Sequence, residues 1–323
     1  MNVVFFGSSD FSVPSLLALA GSARHHLAGV AAQPDRPSGR NRQIRRGAVH
    51  EAAAQAGIPI ILPEKIGGEE AMRQLEIWQP DVIAVASFGQ YIPTRVLRIP
   101  RLGVINVHPS LLPLYRGAAP MQWSIARGET ASGITIFRVV KEMDAGDIIV
   151  QERHAIEPGE NAVDLSARFS VLGAELMMKA LDAMEDGTAP SIPQDHARAT
   201  FAPKLNKVDG QLDWRRPARD LHNRIRGFQP WPGAWFVHRG ISIKVWKSVV
   251  EQGRGAPGEV LDVAGPGPLI ATGDQAVRLL TVQPEGKKIM PGAAFLCGHA
   301  WRAGDIMEAA STTSERNDSE GHG

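Results

Sequence analysis

The sequence has little cysteine, almost no net charge and no long apolar run. Cys297 is the one cysteine among 323 residues, so an internal disulfide and a multi-cysteine zinc site are both excluded. No run of about 18 apolar residues is present that would span a bilayer. The first residues, MNVVFF, lack the basic region of a signal peptide. We therefore expect a cytoplasmic protein with no membrane partner.

Two widespread phosphate-binding motifs are also missing. The first turn reads GSSDF at 7–11 and lacks the second and third glycines of a dinucleotide-binding fingerprint. A G-x-x-x-x-G-K-[ST] loop does not occur anywhere in the chain. These absences argue against a nicotinamide or flavin site and against P-loop chemistry. The formal net charge of +1 gives no general attraction for nucleic acid, so such a partner needs a local basic patch.

The first part of the chain alternates short apolar runs with helix-like stretches. The runs are continuous and aliphatic, which is typical of strands buried on both faces of a sheet. They lie at 3–6, 27–32, 58–62, 82–86, 104–107, 134–140 and 147–155. Crossover helices are predicted at 47–56 and 69–79, and Asn161 is a predicted N-cap for a long helix that ends near 187. This order predicts an α/β domain with a doubly wound, mostly parallel sheet.

The composition changes after about residue 190. A polar, proline-containing stretch at 191–206 is predicted to be a linker between a catalytic domain at 1–190 and a second domain at 207–310. Short strands punctuated by Gly and Pro recur there at roughly ten-residue intervals, which favours a small β-barrel or sandwich. The polar tail at 311–323 is predicted to be disordered.

One strand ends in two polar residues, Asn106 and His108, before Pro109 breaks it. Alternate residues of a strand share a face, so both side chains point the same way. In open α/β sheets the ligand crevice lies at the carboxyl ends of the strands. An imidazole there can transfer a proton, and an amide can stabilise an oxyanion. Taken alone, a pair that is satisfied by loop backbone is an equally good interpretation.

A carboxylate, Asp144, lies in the later segment KEMDAGDI. A carboxylate beside an imidazole fixes its tautomer and favours its charged form. Asp-x-Gly is also ordinary turn chemistry, and this is the better interpretation of Asp144 alone. The sequence does not show whether Asp144 meets His108.

These motifs resemble those of a known family. NVHPSLLPLYRGAAPMQWSIARGETASGITI at 106–136, followed by MDAGD at 143–147, closely resembles the 10-formyltetrahydrofolate-dependent formyltransferases. The resemblance extends over nearly all of 1–310, including QPDRPSGR at 33–40, ASFGQYIP at 86–93 and QPEGKKIM at 283–290. The chain departs from the family pattern at 132–133, where Ser-Gly replaces Thr-Gly. It departs again after Arg40, where NRQI replaces a lysine-rich run.

The resemblance implies a Rossmann-like catalytic domain with a C-terminal OB-like β-barrel, and a catalytic trio of Asn106, His108 and Asp144. In the reaction that the resemblance implies, an amine attacks the formyl carbon of 10-formyltetrahydrofolate. Asn106 and protonated His108 stabilise the oxyanion in that reaction, while Asp144 tunes His108 and helps to move a proton. No metal is expected.

A folate-binding segment is implied at SLLP, where two leucines offer apolar contact and two prolines stiffen the backbone. A tight buried turn is the alternative for this segment alone. The residues assigned to folate, with those of the neighbouring ASFGQYIP segment, are Ser110, Leu111, Leu112, Pro113, Phe88, Gly89 and Tyr91.

The resemblance is to family members that formylate methionine on initiator tRNA, whose loop at PSGR reaches the acceptor stem. A basic run is more often a solvated face, but arginine suits the contact with phosphates and bases. The expected tRNA contacts are Arg36, Arg40, Arg42, Arg45, Arg46, Lys204, Lys207, Lys244, Lys287 and Lys288, with Arg224 and Lys247 as further candidates. The interleaved Trp214, Trp231, Trp235 and Trp246 are individually expected to be core residues rather than stacking platforms.

Three rival functions remain at this point. One rival enzyme of the same chemistry formylates an amino sugar on a nucleotide carrier, and another passes the formyl group to water. A catalytically silent RNA-binding protein is the rival of a different class. The arginine loop and the C-terminal match argue against the first, and the intact Asn-x-His and Asp-x-Gly motifs argue against the third. We expect a monomeric formyltransferase that uses initiator methionyl-tRNA.

Overall fold

The computed structural model describes residues 1–38 and 43–308, except the side chains of 37, 38 and 43–45. Its contacts divide the chain into two compact units. The first unit comprises 1–121 and 130–204, and the second begins with 122–129 and resumes at 205.

The first unit is built on a sheet that is mostly parallel, as the apolar runs predict. Its strands are β1 (Asn2–Gly7), β2 (His26–Ala31), β5 (Ile60–Ile61), β6 (Val82–Ala86), β7 (Val104–His108), β8 (Ala131–Arg138) and β9 (Ile148–Ala155). They lie in the order β5-β2-β1-β6-β7-β8-β9, and the pairs from β5 to β7 are parallel. The last two strands, β8 and β9, are antiparallel to their neighbours. A separate antiparallel pair, β3 (Arg36–Ser38) and β4 (Gln43–Arg45), stands apart from this sheet.

Helices accompany the sheet at the expected crossovers. In this unit they are α1 (Val13–Ala20), α2 (Ala48–Gln55), α3 (Glu69–Trp78), α4 (Thr94–Leu97) and α6 (Ala162–Glu185). Asn161 caps α6 as predicted, because its side chain accepts hydrogen bonds from the backbone N–H groups of Val163 and Asp164. The strands are apolar on both faces because helices cover both: Val4, Phe6 and Ile83 are fully buried.

The stretch predicted as a linker, 191–206, is largely joined to the first unit. The backbone of Thr200 and Ala202 exchanges hydrogen bonds with the loop that follows β7, through Pro113, Arg116 and Ala119. The unit boundary therefore falls at 204, and 191–204 is part of the catalytic unit. A polar, proline-containing sequence gave no local sign of this pairing because its partners lie about 85 residues earlier in the chain.

The second unit carries an antiparallel sheet. Its strands are β10 (Ala234–His238), β11 (Ile241–Glu251), β12 (Val260–Asp262), β13 (Leu269–Ala271), β14 (Ala276–Pro284) and β15 (Met290–Pro291). The order is β10-β11-β14-β13-β12, with β15 against β14. Within the described residues no ladder joins β10 to β12, so the sheet has the antiparallel character predicted for this region without forming a closed barrel.

Helices α7 (Ala218–Gly227) and α8 (Gly292–Gly298) complete the second unit. Its core gathers aromatic rings, and Phe236 packs edge-on against Trp214. Residues 122–129 belong here because the Trp123 ring lies 5.3 Å from that of Phe228, at the end of α7. They include most of helix α5 (Pro120–Ala126), so the unit takes in a segment that sequence patterning assigned to the first domain.

Candidate active site

Asn106 and His108 lie at the carboxyl end of β7, in the interior of the sheet. Asn106 pairs with Val85 of parallel β6, and His108 pairs with Thr135 of antiparallel β8. The two side chains share a face because the side-chain period of a strand is two. The Asn106 side chain is half-buried and makes no hydrogen bond to any residue in the described part of the chain. Its amide is therefore available to a substrate.

His108 is held in one orientation by the loop that follows it. Its Nε2 lies 3.0 Å from the carbonyl oxygen of Tyr115, and its ring is edge-on to Phe137. A carbonyl only accepts hydrogen bonds, so this network assigns a proton to Nε2. Nδ1 is the other ring nitrogen, and it lies 3.7 Å from Asp144 Oδ2. This distance exceeds a hydrogen bond, so Nδ1 remains open to a proton or a substrate.

Asp144 is placed beside His108 by its own backbone turn. It has a φ of +50°, in the left-handed region, and its Oδ2 accepts a hydrogen bond of 2.7 Å from Gly117 N. Two residues later, a Cβ at Gly146 would collide with the Arg138 carbonyl oxygen. The glycine of Asp-x-Gly is thus required for the close approach of this turn to β8. The structure thus brings Asp144 next to His108, a proximity that the sequence alone did not show.

The SLLP segment is a buried turn directly after β7. Ser110 is fully buried and donates its hydroxyl to the Leu114 carbonyl at 2.6 Å. Leu112 is buried and its peptide bond to Pro113 is cis. Leu111 and Pro113 are half-buried, so they offer part of an apolar surface. The segment is both the tight turn of the alternative interpretation and a partly exposed apolar surface.

Thr135 and Gln151 hold this segment, and the sequence analysis missed both. The buried hydroxyl of Thr135 donates to Ser110 O at 2.6 Å and accepts from Leu112 N at 3.2 Å. Gln151 Nε2 donates to Thr135 Oγ1 at 2.8 Å and to Leu112 O at 3.0 Å. The two residues are register partners on β8 and β9. A polar residue within the apolar run ITIF was the available signal, since buried polar groups need partners.

The second predicted folate segment divides between core and surface. Phe88 is 2% exposed and packs against Phe6, with ring centroids 5.0 Å apart. Gly89 is exposed, and Tyr91 is 69% exposed. Tyr91 lines a cavity of about 410 Å³ together with Lys65 and Arg95. Of the three residues assigned to folate in this segment, Gly89 and Tyr91 therefore present a surface, and Phe88 supports the fold.

The arginine stretch is anchored at its base by Asp35. Its carboxylate accepts from Gly47 N at 3.0 Å and pairs with His50 Nδ1 at 2.9 Å. Burial raises the pKa of the Asp35 carboxyl, but the Gly47 N–H and His50 together hold it below its ordinary value. Because Asp35 precedes β3 and Gly47 follows β4, these bonds join the two ends of the hairpin. Arg36 and Arg46 are exposed.

The structure describes only one of the other three arginines of this stretch, and of that one only the backbone. Arg45 belongs to β4, and its backbone alone is described. Arg40 and Arg42 lie outside the described residues.

Several of the predicted lysines gather on the second unit. Lys207 Nζ lies 5.8 Å from the centre of the Trp235 ring, and Trp235 pairs in register with Lys244. Lys244 pairs in turn with Gln283, whose side chain donates to the Lys287 carbonyl. Lys207, Lys247, Lys287 and Lys288 are exposed and Lys244 is half-buried. Lys204 is exposed at the end of the first unit.

Arg224 differs from these lysines because it turns inward. It donates to the Asp209 carbonyl, pairs with Asp220 and stacks on Phe228, and burial lowers its pKa. Among the tryptophans, Trp214 is a core residue as expected, whereas Trp231 is 53% exposed.

The described ranges contain neither a cluster of metal ligands nor a helix that could span a membrane. No group of three or more His, Cys, Asp and Glu residues there is arranged to hold a metal ion. None of the helices described has the length and apolar character needed to cross a bilayer.

Comparison with known proteins covers both units. The family model for formyl transferase matches residues 1–181, and the model for the formyl transferase C-terminal domain matches 204–300. The methionyl-tRNA formyltransferase of Solibacter usitatus is 43% identical over 300 residues, which cover 92% of this chain and 96% of that relative. That of Koribacter versatilis is 41% identical over 314 residues, covering 97% of this chain and 100% of the relative.

Solved structures show the same fold at lower identity. The sugar 3N-formyl transferase WlaRD, solved with dTDP and 5-N-formyl-THF, aligns with a TM-score of 0.67 at 18% identity. The alignment covers 89% of this chain and 99% of that one. HypX from Aquifex aeolicus, solved with tetrahydrofolic acid, aligns with a TM-score of 0.62 at 19% identity, over 95% of this chain and 50% of HypX.

Proposed function

The chain belongs to the formyl transferase family, and we propose that it transfers the formyl group of 10-formyltetrahydrofolate to the amino group of methionine on initiator methionyl-tRNA. The products are N-formylmethionyl-tRNA, for translation initiation, and tetrahydrofolate. One observation carries this assignment: methionyl-tRNA formyltransferases that are 37–43% identical to the chain match 92–97% of its length, including the second unit.

The free amide of Asn106 suits stabilisation of the developing charge. As the methionyl nitrogen attacks the formyl carbon, the carbonyl electrons move onto the formyl oxygen. Asn106 donates a hydrogen bond to that oxygen, and one such donor contributes about 10²- to 10³-fold to the rate. His108 presents Nδ1 to the same region, since Tyr115 occupies Nε2. Its protonated form adds a positive charge beside the oxyanion.

Asp144 suits the movement of a proton. The attacking amine loses one proton when the new C–N bond forms, and folate N10 gains one when its bond to the formyl carbon breaks. Asp144 faces His108 Nδ1 at 3.7 Å while Gly117 N holds the same carboxylate oxygen. We assign to Asp144 the orientation of His108 and, through water, the relay of this proton.

The folate is proposed to lie against the SLLP segment. Half-buried Leu111 and Pro113 supply the apolar contact with the flat rings, and buried Leu112 and Ser110 shape the turn. Gly89 and Tyr91 are exposed in the neighbouring loop and are proposed as further folate contacts. Phe88 supports that loop from the core.

Recognition of tRNA is proposed to use basic side chains from both units. Arginine forks suit phosphate and base edges, whereas lysines act as point charges along the backbone. The proposed contacts are Arg36, Arg40, Arg42, Arg45, Arg46, Lys204, Lys207, Lys244, Lys287 and Lys288. Arg224 is left out of this set because its guanidinium is engaged within the second unit. Arg40→Ala is expected to weaken the binding of tRNA more than the binding of folate. It should also reduce the salt dependence of tRNA binding.

The compartment and the assembly are parts of the same proposal. Translation initiation places the substrate in the cytoplasm, where we propose that the protein acts. A monomer is proposed as the assembly state. The solved sugar formyltransferase is 18% identical and shares the fold, so it gives no support to an amino-sugar acceptor.

A formylation assay tests the proposal directly. The purified chain, with saturating 10-formyltetrahydrofolate, is offered methionyl initiator tRNA and an amino-sugar nucleotide side by side. The mass of one formyl group should appear on the methionyl group alone. His108→Ala should lower kcat by two to four orders of magnitude while tRNA still binds, and exposed His26→Ala is the matched control. Formylation of the sugar, or of neither acceptor, would contradict the assignment.

A further inference from the structure

The Asp144 turn is fixed by a side chain from a distant part of the chain. Asp144 is a non-glycine residue in the left-handed region, a conformation that persists only where the surrounding structure imposes it. Gln194 supplies the restraint, because its Nε2 donates to the Asp144 carbonyl at 2.8 Å and to the Gly146 carbonyl at 2.7 Å. Gln194 is 6% exposed, so water does not compete for these bonds.

The other end of the same amide holds Arg116. Gln194 Oε1 accepts from Arg116 Nη2 at 2.6 Å and from Nε at 3.2 Å. Arg116 is 6% exposed, and its Nη2 also lies 3.0 Å from His196 Nδ1. Burial lowers the pKa of the Arg116 guanidinium, and the charge of Asp144 opposes that change. The Gln194 amide thus joins the backbone of Asp144 to the guanidinium of Arg116, whose charge interacts with that of Asp144.

We propose that Gln194 is a positioning residue for formyl transfer: it holds the Asp144 turn and Arg116 together, so that the Asp144 carboxylate stays on Gly117 N and faces His108. This inference rests on the proposed function. It adds a residue from 191–206, the stretch that sequence patterning assigned to a linker. Arg116 completes the arrangement from the loop after β7.

Glutamine is suited to this position by its hydrogen-bonding inventory. The position requires two donors aimed at carbonyls and one acceptor aimed at a guanidinium. Glutamate keeps the acceptor and gains an ion pair with Arg116, but it turns an oxygen toward the carbonyls of Asp144 and Gly146. Methionine has a similar length and supplies neither donor nor strong acceptor. The two substitutions therefore separate the turn contacts from the Arg116 contact.

Steady-state kinetics of Gln194→Glu and Gln194→Met test the proposal. We expect kcat to fall about 10- to 100-fold in both, as for other residues that orient a reacting group. The KM values for folate and tRNA should stay within about twofold of wild type, and the pH profile of kcat should shift. Exposed Gln252→Glu and Gln252→Met are matched controls and should leave all three quantities unchanged.

Four outcomes separate the possibilities. A variant that loses thermal stability while the folded fraction keeps the wild-type kcat and pH profile contradicts a positioning role. A wild-type kcat in both stable variants also overturns it. Failure of the wild-type chain to formylate methionyl-tRNA refutes the proposed function instead. Reduced kcat in Gln194→Glu, with its Arg116 contact retained and KM unchanged, supports positioning of Asp144 through the turn.

Discussion

Replacement of Thr135 by valine is the sharpest test of how the SLLP segment is held. Valine keeps nearly the same shape and removes one hydroxyl from a residue with no exposed surface. That hydroxyl binds Ser110 O, Leu112 N and Gln151 Nε2. The substitution therefore changes hydrogen bonding in the segment without opening a cavity.

The size of the effect follows from which partners are left alone. Gln151 Nε2 keeps its bond to Leu112 O, so its loss is small. Ser110 O and Leu112 N belong to buried residues, and an unsatisfied buried group costs about 1–3 kcal/mol. We expect the free energy of unfolding to fall by about 2–4 kcal/mol. The dissociation constant for tetrahydrofolate should rise at least about tenfold, equivalent to about 1.4 kcal/mol, because the loosened segment is the proposed folate contact.

Urea unfolding and titration calorimetry with tetrahydrofolate measure the two quantities on the same preparation. Thr188→Val is the matched control, since Thr188 is exposed and makes a single long side-chain bond to Ala183 O at 3.3 Å. The control should change the free energy of unfolding by less than about 0.5 kcal/mol. A Thr135→Val protein with wild-type stability and folate affinity would refute the argument that these bonds hold the segment.

Three further substitutions test other parts of the molecule. Gly117→Ala should lower kcat at least tenfold in activity assays, because Gly117 has a φ of +118° and an added Cβ would meet Ala202 O at 2.7 Å; an active variant would contradict this. Asp35→Ala should raise the KM for tRNA about tenfold, with the KM for folate unchanged, because the hairpin loses its clasp; equal changes in both KM values would contradict it. Burial, and then the charges of Arg226 and Arg219, lower the pKa of His222 to about 4. As pH falls below about 6.5, His222 is therefore protonated in the unfolded chain before it is protonated in the folded one. This group should therefore lower the free energy of unfolding by about 2 kcal/mol between pH 8 and pH 5. Denaturant titrations at both pH values should show that His222→Gln removes this loss. The same pH dependence in the wild type and the variant would disprove it.

Local patterns in the sequence predict most of the sheet and the sheet edge at which two of the proposed catalytic residues lie. The buried run at 104–107 becomes β7, and its polar end places Asn106 and His108 at the edge where ligands bind in such sheets. The Asn161 cap is predicted because capping is decided by a residue and its next three neighbours. Motif resemblance, rather than periodicity, supplies the formyl-transfer chemistry.

Contacts between distant segments are what the patterns do not contain. Thr135, Gln151 and Gln194 make side-chain hydrogen bonds to backbone groups that lie 23 or more residues away along the chain. Any buried backbone group needs a partner, but nothing in a local window identifies which residue supplies it. The same reason explains why 191–204 reads as a linker and pairs with the loop after β7.

The glycine of each catalytic motif has a steric reason that is separate from the chemistry. Gly117 yields its N–H to Asp144 at a place where a side chain would meet Ala202, and Gly146 lets the Asp144 turn close on β8. The position of Asp144 is therefore fixed by the close approach of the backbone and by Gln194. Its carboxylate accepts one hydrogen bond of 2.7 Å from Gly117 N and lies 3.7 Å from His108 Nδ1. A substitution at Asn106 or His108 should for this reason lower turnover by at least about two orders of magnitude and leave the loops in place. A substitution at Gly117, Gly146 or Gln194 should displace intact chemical groups, and the expected loss of kcat is then smaller: about 10- to 100-fold at Gln194, against two to four orders of magnitude at His108.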